Sequence, residues 1–541
     1  MKKLSLTLAF LFFLTTTSVF AQQGLQKIRI DDFTGGMDTN SLPRLLKPNQ
    51  GASLVNTIIN RPGRISKRGG LGVFASDVGS TAFRGLGRFD PDAATSYLVA
   101  ASGAYVVRGI STATTWTVAN ASSGLTANSN TEFVQADKLF FILNGVETSW
   151  WDGVNFVRPD TGSYPASPPV AKTGVWLRNY LFLAGNATNP DWVYFSNNLE
   201  PTVYDATDII KINTGDGQAI QNMLPFKLNE VIIYKERSIY NLDITGATPL
   251  TGWTVQPMST FIGLIAPRAV ASLGNDQWFL SSNPIAVRSL VRSEFDKILF
   301  NDVSQQIRDV FDGSGDLTIN VNQVQKSAAI FFNDKFMLAI PTGTSTINNT
   351  VLVFDFLTNG WYYIDGWYPA AWEVFDEKLY FADASDGTVK QAFTSTFGDF
   401  GLGPHANLTT ASSPTVATCF EYVTRDLDFD NPENCKYLDA IEVDFEPTGN
   451  YEALVSINLD NDGWASIGTV NLAGNSVTLP VTLPTVLDNE GVARKTFQLT
   501  NKGEFRAIKA KVFQCGLNQN VKLQRITFFG KVKPWRREGC N

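Results

Sequence analysis

Few residues in this chain have the types and spacing that chemistry requires. The densest acidic group is Asp426, Asp428, Asp430 and Glu433. Such a group can bind a cation, or serve glycoside hydrolysis where two carboxyls face one another across a sugar. Sequence proximity does not set that geometry. In an extended strand Asp426, Asp428 and Asp430 share one face, and the group reads as a solvated outer face. Asn458-Leu459-Asp460-Asn461-Asp462-Gly463 matches the first half of a calcium loop, but the twelfth position, which needs a bidentate Glu, is Thr469. Asp462-Gly463 is better read as a hairpin turn. His405 is the only histidine and sits beside Gly401-Leu402-Gly403-Pro404, as a linker residue would. No Gly-x-Ser-x-Gly elbow or phosphate-cradling glycine loop is present. The sequence therefore names no catalytic, cofactor or metal residue.

A basic run is the best candidate for contact with an acidic partner: Arg61, Arg64, Lys67 and Arg68. On a hairpin Arg64, Ser66 and Arg68 alternate to one face, open to phosphate, to an acidic neighbouring subunit or to solvent. Exposed charges contribute little to stability, so changing Arg64, Lys67 and Arg68 to Glu is expected to leave thermal unfolding nearly unchanged. Lys531, Lys533, Arg536 and Arg537 make a second, weaker group. The formal charge of −7 and pI near 5.1 argue against a broad nucleic-acid surface.

The N-terminus reads as a secretory signal. Lys2 and Lys3 precede the apolar run Leu4 to Leu14, and Val19-Phe20-Ala21 places cleavage between Ala21 and Gln22. The four cysteines, Cys419, Cys435, Cys515 and Cys540, lie in the last quarter of the chain without metal-site spacing. After export they are expected to form disulfides, with three connectivities open.

The elements that must position these residues are strands. Aromatic residues make up 12% of the chain and glycines number 43, a mix that suits short strands joined by tight turns. A polar or turn pair followed by an apolar strand recurs at Ser96-Tyr97, Asp137-Lys138, Asn179-Tyr180, Asn229-Glu230, Asn275-Asp276, Asn333-Asp334 and Asp376-Glu377. Successive starts are 41 to 58 residues apart, the period of a four-stranded propeller blade. The spacing predicts a ring of six or seven blades over residues 81–400. Ser304 to Phe311 is the one helix, inserted between blades. Strand-like segments after residue 401 suggest an antiparallel β-sandwich over 401–541. Residues 22–80 read as an N-terminal docking arm, with a helical turn or two over Pro48 to Asn56 and a hairpin around Pro62-Gly63.

That N-terminal unit carries a resemblance. Phe33-Thr34-Gly35-Gly36, Leu45-Leu46-Lys47-Pro48-Asn49-Gln50, Leu54-Val55-Asn56 and Arg61-Pro62-Gly63-Arg64-Ile65-Ser66-Lys67-Arg68-Gly69-Gly70 follow in order. The series resembles the opening of propeller proteins from tailed-bacteriophage tails, the tail nozzle and packaged-DNA stabilisation proteins. Ser238 to Leu242 and Thr424 to Phe429 are similar to that family's central blades and terminal β-domain. The resemblance implies a virion structural protein in a homo-oligomeric ring below portal and adaptor, touching tail-tip proteins and packaged DNA, with no small-molecule substrate. The alternative is an exported carbohydrate-binding or adhesive propeller, for which the signal speaks. A propeller glycosidase comes third.

Overall fold

The computed structural model describes residues 25–61, 63–75, 83–111, 115–120, 124–126, 130–159, 164–165, 167–246, 249–292, 298–399, 415–473, 491–499, 503–534 and 540. The signal, His405, Arg536 and Arg537 lie outside them.

Asp137, Asn179, Asn333-Asp334 and Asp376-Glu377 of the repeat supply the left-handed backbone of their hairpin turns, while Lys227 and Gly274 do so just before their pairs. Arg178-Asn179, Asn333-Asp334 and Asp376-Glu377 are consecutive positive-φ pairs, as tight hairpins require. The strands that follow the seven pairs are Tyr97–Ser102, Leu139–Leu143, Tyr180–Ala184, Glu230–Lys235, Asp276–Ser282, Lys335–Ile340 and Lys378–Asp383. Each is the second strand of a four-stranded antiparallel unit. Six units stand as separate four-stranded sheets, and the unit from Ala328 to Asp365 is the start of a ten-stranded sheet. The architecture is an all-β propeller.

Aromatic side chains fill the seams between neighbouring blades. Trp278 of the fifth blade lies 5.3 Å from Phe336 and 4.7 Å from Phe356 of the sixth. The 58-residue interval holds the expected insertion: a 3₁₀ turn at Gln305–Ile307, the helix Arg308–Asp312 and a second 3₁₀ segment at Val321–Lys326. Ile307, Val310 and Phe311 are buried as the stripe predicts. Ser304 does not cap; its Oγ donates to Asp302 and accepts from the Val287 amide.

Ring closure uses the beginning of the chain. Strand Gly72–Ala75 pairs with Val389–Gln391 as the outer strand of the seventh blade. Phe74 then sits in the closing seam, 5.1 Å from Trp116 of the first blade and 5.2 Å from Tyr380 of the seventh.

Residues 25–70 are not a free arm, which corrects the expectation of a docking unit. Strands Gln26–Ile30, Thr57–Arg61 and Arg64–Lys67 complete a seven-stranded sheet with Lys436–Phe445, Ala493–Gln498, Glu504–Phe505 and Lys522–Val532. The helix expected over Pro48 to Asn56 is instead strand Gly51–Val55, preceded by a 3₁₀ turn at Pro43–Leu45. This strand lies between the sixth blade and Val416–Thr424, so distant partners override local preference. It makes the sixth blade continuous with Val416–Thr424, Ile508–Gly516, Glu452–Leu459 and Ala465–Asn471. The C-terminal strands thus form two sheets that each need N-terminal strands, and they are no self-contained sandwich.

Gly36 shows how close the approach is. Its φ is +64°, and a Cβ there would sit 2.6 Å from the Trp361 amide nitrogen, so only glycine fits. The Met37 amide donates to Trp361 O at 2.6 Å beside it.

Two disulfides brace this region. Cys419 pairs with Cys515 directly across neighbouring strands, and Cys435 pairs with Cys540. They close loops of 96 and 105 residues of sequence separation. Replacing Cys419 and Cys515 together by Ser is expected to cost about 2–4 kcal/mol of stability. Non-reducing peptide mapping should recover these two linked pairs and no others.

Candidate functional site

The basic hairpin is where sequence reasoning placed its site, and the structure buries Lys67 and Arg68 of it. Arg61 ends its strand opposite Arg64. Arg64 pairs with Glu446, which also holds Lys522. Lys67 is 2% exposed and donates to Gln514 Oε1 at 3.1 Å and Gly516 O at 3.2 Å. Arg68 is 1% exposed and grips Asp399 through two nitrogens, at 2.9 and 2.6 Å. Its Nε donates to Asn56 Oδ1 at 2.8 Å, and its guanidinium lies 4.7 Å from the Trp367 ring centroid. Asn56 passes the link on, donating to Asp365 and to Cys419 O.

These contacts tie the hairpin to the sixth blade, the strand Gly398–Asp399 and the C-terminal sheet at once. Strand alternation fails as a guide because the strand ends at Lys67 and Arg68 lies past it. The expectation of near-neutral Glu substitutions is overturned at Lys67 and Arg68, since reversing a buried charge leaves its partners uncompensated. Lys531 and Lys533 are also engaged, with Asp439 and Glu504.

Asp426, Asp428 and Asp460 of the acidic candidates are tied into the fold too. Asp426 faces Lys509 at 3.6 Å, and Asp428 accepts the Asp430 amide at 3.0 Å. Phe429 and Asp430 both have positive φ, so these residues turn and share no strand face. Asp460 and Asn461, also left-handed, form the tip of the expected hairpin one step before Asp462-Gly463. Asp460 there accepts the Arg506 and Ala507 amides. Among the described residues no group of three His, Cys, Asp or Glu side chains is placed to hold a metal.

Sequence reasoning missed the concave site. The starts of the blades' first strands and several of the loops between second and third strands lie at one end of the ring. Together they enclose an axial funnel of about 1020 Å³ to which all seven blades contribute. Its cationic lining is Arg84, Lys172, Arg268 and Lys326, and its one acid is Glu132. The signal was scattered polar residues near the starts of the first strands of six blades, too far apart in sequence to form a motif.

Arg268 crosses this funnel. From the fifth blade it pairs with Glu132 of the second and donates to Arg84 O of the first at 2.7 Å. It also donates to Thr131 O at 2.8 Å and to Ala370 O of the seventh blade at 3.1 Å. One guanidinium thus ties four blades and bars the propeller axis. Glu373, on the innermost strand of the seventh blade, has its carboxyl pushed up to about 7 by burial.

Burial, then the neighbouring Arg68 charge, lowers Lys67 from 10.5 to about 7. Between those values the unfolded chain holds a proton that the native chain releases, so this residue's contribution to stability rises with pH across the window. Lys67→Met is expected to flatten that rise, read as the difference in urea midpoint between variant and parent from about 7 to 10.5. Arg268→Met strips bonds from Glu132 and three carbonyls and is expected to cost about 1.5–3 kcal/mol in the same measurement.

No protein-family model and no curated protein matches the sequence. Among solved structures, the extracellular domain of a hybrid two component system from B. thetaiotaomicron is similar at 7% identity and a TM-score of 0.41, over 67% of this chain and 46% of that one. The extracellular domain of a one component system from the same organism is similar at 8% identity and a TM-score of 0.39, over 84% and 58%. BBS1N in complex with ARL6DN gives 9% identity and a TM-score of 0.36, over 60% and 95%. This chain spans about half the length of the two extracellular domains.

Proposed function

We propose that this chain is a structural component of a phage tail, one copy in a ring that retains and passes DNA, with no reaction of its own. The observation that carries the reading is where the family-like residues fall. Gly35-Gly36, Gln50, Asn56 and Lys67-Arg68-Gly69-Gly70 make the joint between propeller, closing strand and C-terminal sheets. Gln50 is buried and accepts the Lys47 amide, and a Cβ on Gly70 would sit 2.0 Å from Gly398 O. The resemblance therefore lies in the residues that set the body plan, and not in blade pattern that any propeller shares. A body locked at that joint suits a part that transmits force. With Arg268 across the axis, a conduit in such an assembly would run between copies, bounded by portal, adaptor and tail-tip proteins.

The disulfides favour a second reading, an exported binding propeller, since such bonds persist in oxidising compartments. One experiment separates the two. Under the virion reading, mass spectrometry of purified particles finds the protein in stoichiometric amount. Particles that lack it, beside a periplasmic or secreted pool beginning at Gln22, would overturn the virion role in favour of export.

A further inference from the structure

The funnel holds more positive charge than its own structure uses. Of its amides, Asn144 and Asn186 cap their own loops, and Asn222 and Asn348 bridge neighbouring blades. Glu132, the one acid, is taken by Arg268. What remains is a cationic, hydrogen-bonding wall in a chain whose formal charge is −7.

Lys172 is the clearest case. Its stem lies in a notch between two glycines: a Cβ on Gly145 would meet its Cγ at 2.8 Å, and one on Gly185 its Cβ at 3.0 Å. Both glycines have positive φ, +77° and +79°. No side-chain hydrogen bond or ion pair of Lys172 occurs among the described residues. Exposed at the funnel wall and left without an acid, this lysine keeps its charge open to an anion from solution, in a concave site that concentrates its field. Lys326 approaches the same space from the sixth blade, its Nζ resting on Thr346 O at 2.5 Å. Asn130, Gln221 and Gln325 complete the wall with amides suited to hydroxyl groups.

From this arrangement we infer that the axial funnel binds a short anionic oligosaccharide, its carboxylate or phosphate between Lys172 and Lys326 and its hydroxyls on the amides. The volume matches that of a small-ligand site. The lining argues against a nucleotide, because its one aromatic residue, Phe83, is 1% exposed and offers no face for a base. The inference is independent of the virion reading, since the site lies within one propeller and its test needs no particle.

The experiment is calorimetric titration of the purified full chain with three probes: a uronate trisaccharide, a sugar phosphate and a neutral trisaccharide of the same size. Saturable binding of the uronate or the sugar phosphate, with the neutral sugar much weaker, is expected, and the stronger of the two identifies the anionic group. Lys172→Glu with Lys326→Glu should weaken it roughly tenfold or more, with thermal unfolding little changed because both side chains are exposed. Lys172→Gln, which removes charge without reversing it, should give an intermediate loss. Absence of saturable binding to both anions, equal affinity for the neutral sugar, or unchanged affinity in the variants would overturn the assignment.

Discussion

Everything in this molecule depends on the path of residues 51–75. A propeller is stable only when its last blade meets its first, because each blade buries its faces against neighbours. Here the meeting is made by strand Gly72–Ala75, which completes the seventh blade, with Phe74 packed across the seam. Just before it, strand Gly51–Val55 welds the sixth blade to the C-terminal sheet. The same stretch of chain closes the ring and fastens it to its neighbour, so neither event is independent of the other.

Arg68 sits where these paths cross, and its burial explains why the hairpin tolerates so much charge. A guanidinium out of water is costly unless its donors are used, and the carboxylate of Asp399, the Asn56 amide and the Trp367 face use them. Arg268 solves the same problem on the propeller axis, with three backbone carbonyls beside the Glu132 carboxylate. In both places an arginine, buried at 68 and half-buried at 268, joins segments far apart in sequence, fixing their relative position through directional bonds where apolar packing alone would allow sliding.

The blades were legible because their turns demand particular residues at fixed intervals: Asn333-Asp334 and Asp376-Glu377 announce hairpins by backbone chemistry alone. The helical stripe of Ile307, Val310 and Phe311 was readable for the same local reason. Strand Gly51–Val55 was misread because its partners lie more than 300 residues away. Burial of Lys67 and Arg68 was equally hidden, since Asp399 is 331 residues from Arg68 and Gln514 is 447 from Lys67. The funnel was invisible for a further reason: it is assembled from single residues at blade intervals, and no window of sequence contains it.

The order of these pairings has a consequence for synthesis. Strand Gln26–Ile30 is among the first parts of the described chain to leave the ribosome, yet its partner is Lys522–Val532. At ordinary elongation speeds the interval is on the order of tens of seconds to a minute or more. Through that time the edge of strand Gln26–Ile30 has no mate, and unpaired edges invite association with other chains. Folding must be completed from the far end backwards, as a late event of high contact order. Until those last strands appear strand Gln26–Ile30 is an open edge, and whatever keeps it from pairing with other chains has to act before this sheet can close.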